Sequence, residues 1–218
     1  MKQKNIFIAA AIILLLIFAA GTLFYTSQQE KAANQLAEAN RAALIRMHSP
    51  TVGKAEAPVV IVEFLDPACE TCRNFYPMVK QLMADNPDKI RLVLRYAPFH
   101  PGSDKVVAVL DAARRQGKFW ETLEALLANQ SDWTEHHVAY MDRAWKHLDG
   151  IGLNMEQMAL EMTSPEIANA IAQDLADAKT LNVTKTPEFF VNGKPLPEFG
   201  FNQLKTLVDQ AVADSRAR

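Results

Sequence analysis

This chain of 218 residues has only two cysteines, eight glycines and no surplus of basic charge. Two cysteines cannot hold together a disulfide-dense small scaffold, and a chain of this size needs none. A formal net charge of −2 leaves no basic excess to neutralise phosphates, so no nucleic-acid partner is expected. No long block of like charge and no Gly-rich phosphate loop occurs. A closed zinc site wants four ligands, yet His48, His100, His136, His137 and His147 stand far from the cysteines, with no second paired-ligand motif. Resident metal is therefore not expected. A purely structural disulfide is a poor reading too, because a loop of four residues constrains the unfolded chain little.

What is present is a globular composition, 49% hydrophobic and 22% charged, enough for one domain plus appendages. Lys2 and Lys4 precede a nearly unbroken apolar run, Ile6 to Tyr25. About 20 apolar residues cross a bilayer as a helix, and the lysines favour a cytoplasmic N-terminus. Residues 1–26 read as a signal anchor in the cytoplasmic (inner) membrane. A cleaved signal peptide, with Ala19-Ala20-Gly21 as the cleavage region, is the alternative. Both readings place the rest of the chain on the periplasmic or other extracytoplasmic side, where disulfides persist. Residues 27–48 lack Pro and Gly and read as a helical stalk, with Leu36, Ala39, Ala43 and Met47 as a thin apolar stripe. That stripe suits either a lone helix lying on the domain or weak self-association. His48-Ser49-Pro50 ends the helix and opens a domain over residues 49–216.

Within the domain, Ala57–Leu65 is a β-branched buried strand, Glu70–Asp85 an amphipathic helix containing Pro77, and Lys89–Tyr96 a second strand. Strand, helix, strand is a βαβ unit with a parallel pair. Residues 102–181 then read as an all-helical insertion, including a helix over Thr134–Leu148 and one N-capped by Ser164 with Pro165 at its first position. "TPEFFVNGK" returns to strand, Asn192-Gly193 signals a hairpin, and Phe201–Ala213 closes the chain as an amphipathic helix. The outline is α/β: βαβ, helices, ββα.

The chemistry is concentrated in "CETC", Cys69 to Cys72, where a strand gives way to a helix. At a helix N-terminus a cysteine meets unpaired N–H groups and the positive end of the dipole, both of which favour thiolate. Cys69 is thus the attacking sulfur, and Cys72, one turn on, the resolving one. Glu63 interrupts an apolar strand, and a buried carboxyl there would have a raised pKa and could relay a proton to or from Cys72. Glu70 and Thr71, between the cysteines, tune the potential, a negative Glu70 opposing the thiolate. His100 shapes the loop after the second strand, His136 and His137 lie at the surface, and Trp120, Trp133 and Trp145 belong to the core or a groove of the insertion.

Taken together, the βαβ unit with Cys-x-x-Cys, "KTPEFFVNGK" and the intervening helices resemble the DsbA-like branch of the thioredoxin superfamily over about Val52 to Ala213. The resemblance implies a thioredoxin-like fold and a protein thiol–disulfide oxidoreductase. It implies a cis Thr186–Pro187 bond opposite the redox pair, with Thr186 offering backbone groups to a substrate peptide. It further implies no cofactor beyond a redox-active Cys69–Cys72 disulfide, protein substrates carrying thiols or disulfides, and a membrane redox partner for recycling. Thr186 and the Glu70-Thr71 dipeptide point to a moderate potential, with oxidase and isomerase or reductase directions both open. The alternative from another class is a membrane-tethered chaperone or copper-handling module using the same pair.

Overall fold

The computed structural model describes residues 2–216. The N-terminal apolar run and the stalk form one continuous helix, α1 (Lys2–Leu44), with no break at residue 26. It contains the segment Ile12–Gln29, which among the described residues is the one long and apolar enough to span a membrane. The side chains of Lys2, Lys4, Leu36 and Ala39 lie outside the described ones. The helix ends at Leu44, earlier than His48-Ser49-Pro50 suggests, because a turn follows in which the Arg46 N–H donates to Ser49 Oγ and the Ser49 N–H to the Arg46 carbonyl. Met47 falls in this turn and is exposed, so it does not continue the apolar stripe.

β1 (Thr51–Val52) enters the domain, followed by β2 (Val59–Leu65), α2 (Glu70–Asp85) and β3 (Ile90–Tyr96). β2 and β3 are parallel, Val59 opposite Ile90 and Leu65 opposite Tyr96, as the βαβ reading requires. β2 is buried on both faces, which is why it reads as a continuous apolar run rather than an alternating one. α2 runs through Pro77 as a single helix and turns Cys72, Phe75, Tyr76, Val79 and Leu82 inward.

The insertion follows: α3 (Ser103–Arg115), α4 (Phe119–Ala128), α5 (Gln130–Trp133), then β4 (Thr134–Glu135) and β5 (Val138–Ala139). This antiparallel hairpin stands where the sequence pattern suggested the start of a helix. His136 and His137 close it with positive φ, 51° and 63°. Tertiary pairing overrides weak local propensity here, since the Ala139 N–H donates to the Pro101 carbonyl and the Tyr140 N–H to that of Trp133. Gly102, at φ 79°, is needed at this contact, because any Cβ would strike the Ala139 carbonyl. Helical structure resumes in α6 (Met141–Ala144), a 3-10 turn at Trp145–Leu148, α7 (Met155–Glu161) and α8 (Pro165–Thr180). α8 is capped as its sequence demands: Ser164 Oγ accepts from the Ile167 N–H, with Pro165 in the first turn.

The chain returns in β6 (Glu188–Val191) and β7 (Lys194–Pro195) and ends in α9 (Phe201–Arg216), which buries Leu204, Val208 and Val212. The described residues form a five-stranded mixed sheet ordered β1-β3-β2-β6-β7, with the strand carrying Glu63 at its centre.

A buried ion cluster on one face of the sheet was not legible in the sequence. The fully buried Arg95 guanidinium donates to Asp174 at 2.7 and 3.0 Å and to Asp177 at 2.6 Å, and lies 5.2 Å from the Phe64 ring centre. Removing one partner of a buried pair leaves charge uncompensated and costs about 3–5 kcal/mol. Arg95→Leu is expected to lower stability by an amount in that range in denaturant unfolding; a loss within error would show that the cluster is structurally idle.

Candidate active site

β2 delivers the chain to a short loop, Asp66 to Ala68, and Cys69 then stands at the N-cap of α2 with extended backbone (φ −79°, ψ 119°). The loop is held by two side chains that no sequence pattern singled out. Asp66 is fully buried: its Oδ1 accepts from the Ala68 N–H and from the Ser103 hydroxyl, and its Oδ2 from the N–H groups of Phe99 and His100. His100 Nδ1 lies 2.7 Å from the same Oδ2, so His100 ties the loop after β3 to the one before Cys69. The His100 ring stacks on His137 at 5.6 Å; both His136 and His137 are exposed, as expected.

The second side chain is Gln130 of α5. Buried completely, it donates its Nε2 hydrogens to the carbonyls of Pro67 (2.7 Å) and Cys69 (3.0 Å), so the insertion grips the redox loop directly. Gln130→Leu removes both bonds, stripping the Pro67 carbonyl of this donor and leaving the Cys69 carbonyl with the Arg73 N–H. The expected loss is about 1–3 kcal/mol of stability, read as a lower unfolding midpoint; an unchanged midpoint would show that the grip contributes nothing.

Cys69 and Cys72 are both buried free thiols, Cys69 retaining 7% exposure and Cys72 none. Their acidities are pulled apart. Cys69 is brought down to about 5, first by the hydrogen bond from the Cys72 thiol, then by the Thr186 side chain and the N–H groups of Cys72 and Thr71, against burial that alone would raise it. Those amides are first-turn donors without an intrahelical acceptor. Cys72 is pushed well above the ordinary thiol value, chiefly by burial, then by its bond to Cys69 and the charge of Glu63. Glu70 is exposed and Thr71 half-buried. The opposition expected from Glu70 does not figure among the groups that set the Cys69 acidity, which the donors around the sulfur dominate.

The Thr186–Pro187 bond is cis, and the loop carrying it faces the nucleophile: Cys69 Sγ lies 3.3 Å from the Thr186 carbonyl oxygen. Aromatic packing fixes the two elements together, with the Phe75 ring of α2 stacked on Phe189 of β6 at 5.6 Å and 5.1 Å from Phe199.

Below the pair, Glu63 is fully buried between Leu94 and Phe189 on the neighbouring strands, and neither carboxyl oxygen has a hydrogen-bond partner among the described residues. Its pKa is raised to about 8, by burial first and then by the Cys69 charge. An unpartnered buried carboxyl holds its proton at neutral pH and titrates near it. The structure thus gathers Cys69, Cys72, Glu63, Thr186 and Pro187 at one end of the sheet.

A family model described as Thioredoxin matches residues 46–210. The chain belongs to the thioredoxin family. A thioredoxin-like oxidoreductase from Silicibacter pomeroyi is 32% identical, with a TM-score of 0.68 over 78% of this chain and 96% of that one. The α-DsbA1 structure from Wolbachia pipientis, 16% identical, superposes with a TM-score of 0.70 over 82% of this chain and 98% of that one, so the fold of this thioredoxin-family chain is DsbA-like. The chain is also 34% identical over 170 residues to Na(+)/H(+) antiporter NhaA 3 of Salinispora tropica, 76% of this chain but 25% of that protein. It spans about a quarter of the curated relatives it matches, and their antiport is not carried over to it.

Proposed function

We propose that this protein exchanges disulfides with protein substrates on the extracytoplasmic side of a membrane, Cys69 attacking and Cys72 resolving. The observation that carries this reading is the asymmetry of the pair: a thiol drawn down to about 5 at the mouth of α2, against a buried one held above its usual value. Cys69 thiolate attacks a substrate disulfide, releasing one substrate thiolate and forming a mixed disulfide. Cys72 then gives its proton to Glu63 in its ionised form, a minority at neutral pH that grows as pH rises toward about 8, and attacks Cys69 Sγ, closing Cys69–Cys72 and releasing the substrate as its dithiol. The reverse sequence oxidises a substrate dithiol. Thr186, half-buried beside Cys69, offers its backbone to an extended substrate segment.

A thiolate formed at about 5 lies between the values of about 7 and about 3.5 that accompany weakly and strongly oxidising pairs of this kind, which supports a moderate potential. The apolar part of α1 serves as the membrane anchor, and a partner redox protein recycles the pair. Alkylation of Cys69 by iodoacetamide should fall with pH to half its plateau at about 5. A midpoint in the ordinary thiol range would sink the assignment of Cys69 as the activated nucleophile, and equilibration against glutathione then gives the direction of exchange.

A further inference from the structure

The end of the stalk does not hang free of the domain. Leu44 is buried against Val62, Phe64, Phe190, Ala178 and Val183. The Ala43 carbonyl accepts from the buried Arg95 guanidinium, Arg46 makes a two-point bond to Asp177 at 2.7 and 2.8 Å, and His48 Nε2 lies 2.6 Å from Asp174. Seven residues before Leu44, Ala37 sits flush against Gly193, where a Cβ would come within 2.9 Å of the Ala37 Cβ.

These contacts fix the direction of α1 relative to the sheet. Gly193 belongs to the β6–β7 turn, whose Asn192 exchanges hydrogen bonds with Val60 near the start of β2. Arg95, which holds Ala43, is level with Phe64 near the end of β2. From Ala37 to Ala43 the helix therefore advances in the same sense as β2, toward the end where Cys69 lies. Followed backward, toward the apolar segment, it leaves the domain at the opposite end.

We infer that the stalk presents the Cys69–Cys72 pair on the side of the domain turned away from the bilayer, so that its exchange partners are water-soluble protein domains and not groups held at the lipid headgroups. This rests on the disulfide-exchange and anchoring readings above. Tyr25, the last residue of the apolar run, lies 19 residues before Leu44, a helical rise of roughly 28 Å, and the pair stands beyond that. Recycling follows the same geometry. A partner that closes Cys69–Cys72 must bring its own disulfide to that height on a projecting domain; its S–S bond is reduced to two thiols as the new one forms.

The test uses the full chain in phosphatidylethanolamine–phosphatidylglycerol vesicles. Disulfide-bearing peptides are fixed to a headgroup by a linker of about 10 Å or about 60 Å, with the same peptide free in solution as reference. The expected result is exchange with the free and long-tethered peptides and at least about tenfold slower exchange with the short-tethered one. Inserting about ten Gly and Ser residues between Gln28 and Gln29 frees the orientation and should restore the short-tether rate. Equal rates for both tethers in the unaltered chain would overturn the inference, as would failure of the chain to float with the vesicles. A fluorophore on Cys69 in the Cys72→Ala chain, with acceptor lipids, reads the same height without any turnover. Weak transfer that strengthens in the inserted chain supports the inference, and strong transfer in the uninserted chain overturns it. Absence of exchange with all three peptides alongside weak transfer would instead reject the disulfide-exchange reading and leave the orientation standing.

Discussion

Cys69→Ser is expected to abolish disulfide exchange, lowering the rate with an insulin-type substrate by on the order of a thousandfold or more. The hydroxyl keeps the volume and can still donate to the Thr186 carbonyl, so the domain should fold as before. What is lost is the ionised sulfur: no serine hydroxyl is brought into ionisation by the donors that bring the Cys69 thiol to about 5. Cys72→Ala gives the complementary result. Cys69 still attacks, but nothing displaces the substrate, so mixed disulfides accumulate and are seen as adducts under non-reducing conditions. Normal exchange by the Cys69→Ser protein, with adducts forming instead through Cys72, would reverse the assignment of the two sulfurs.

Glu63→Leu should produce the other large effect, in opposite directions on stability and on turnover. The Glu63 carboxyl has a folded-state pKa of about 8, raised above the ordinary 4.5 chiefly by complete burial. Between those values the folded chain keeps the proton and the unfolded chain gives it up, so stability falls as pH rises from about 4.5 to about 8 and levels off above. The linked change is on the order of 5 kcal/mol. In the Glu63→Leu protein this slope should disappear, and stability at neutral pH should increase by a few kcal/mol, about what removal of an unpaired buried polar group yields. Resolution of the mixed disulfide by Cys72 should slow by about 10²-fold above pH 8, where Glu63 is ionised and can accept the proton, and by less at neutral pH. Glu63→Gln keeps the shape and loses the proton transfer, so it should show the slow resolution without the full gain in stability. An unaltered resolution rate in both proteins would confine Glu63 to a structural role.

Glu63, Cys69 and Cys72 were legible because each breaks or punctuates a local pattern, whereas Thr186 and Pro187 were named only through the family resemblance. Glu63 is the one charge in an apolar strand, and the cysteines open a helix directly after it. The hairpin at Thr134–Ala139 was not legible, since its strands are two residues long and owe their form to the Ala139 bond with Pro101, 38 residues away. Asp66 and Gln130 were missed for the same reason. As letters they are an ordinary loop acid and an ordinary polar residue after a helix; only the fold surrounds one with donors and aims the other at the Pro67 and Cys69 carbonyls.

The sequence by itself determined the apolar N-terminal helix, the βαβ unit and the Cys69–Cys72 pair, because periodicity and helix-end chemistry act over a few positions. Tertiary structure alone decided the contact of Cys69 with Thr186, the lack of a partner for the buried Glu63 among the described residues, and the direction in which α1 leaves the domain. Each of these depends on groups brought together from distant parts of the chain, such as Arg95 with Asp174, 79 residues apart, or Cys69 with Thr186, 117 apart. Burial and hydrogen bonding act through space, and distance along the chain carries no record of them.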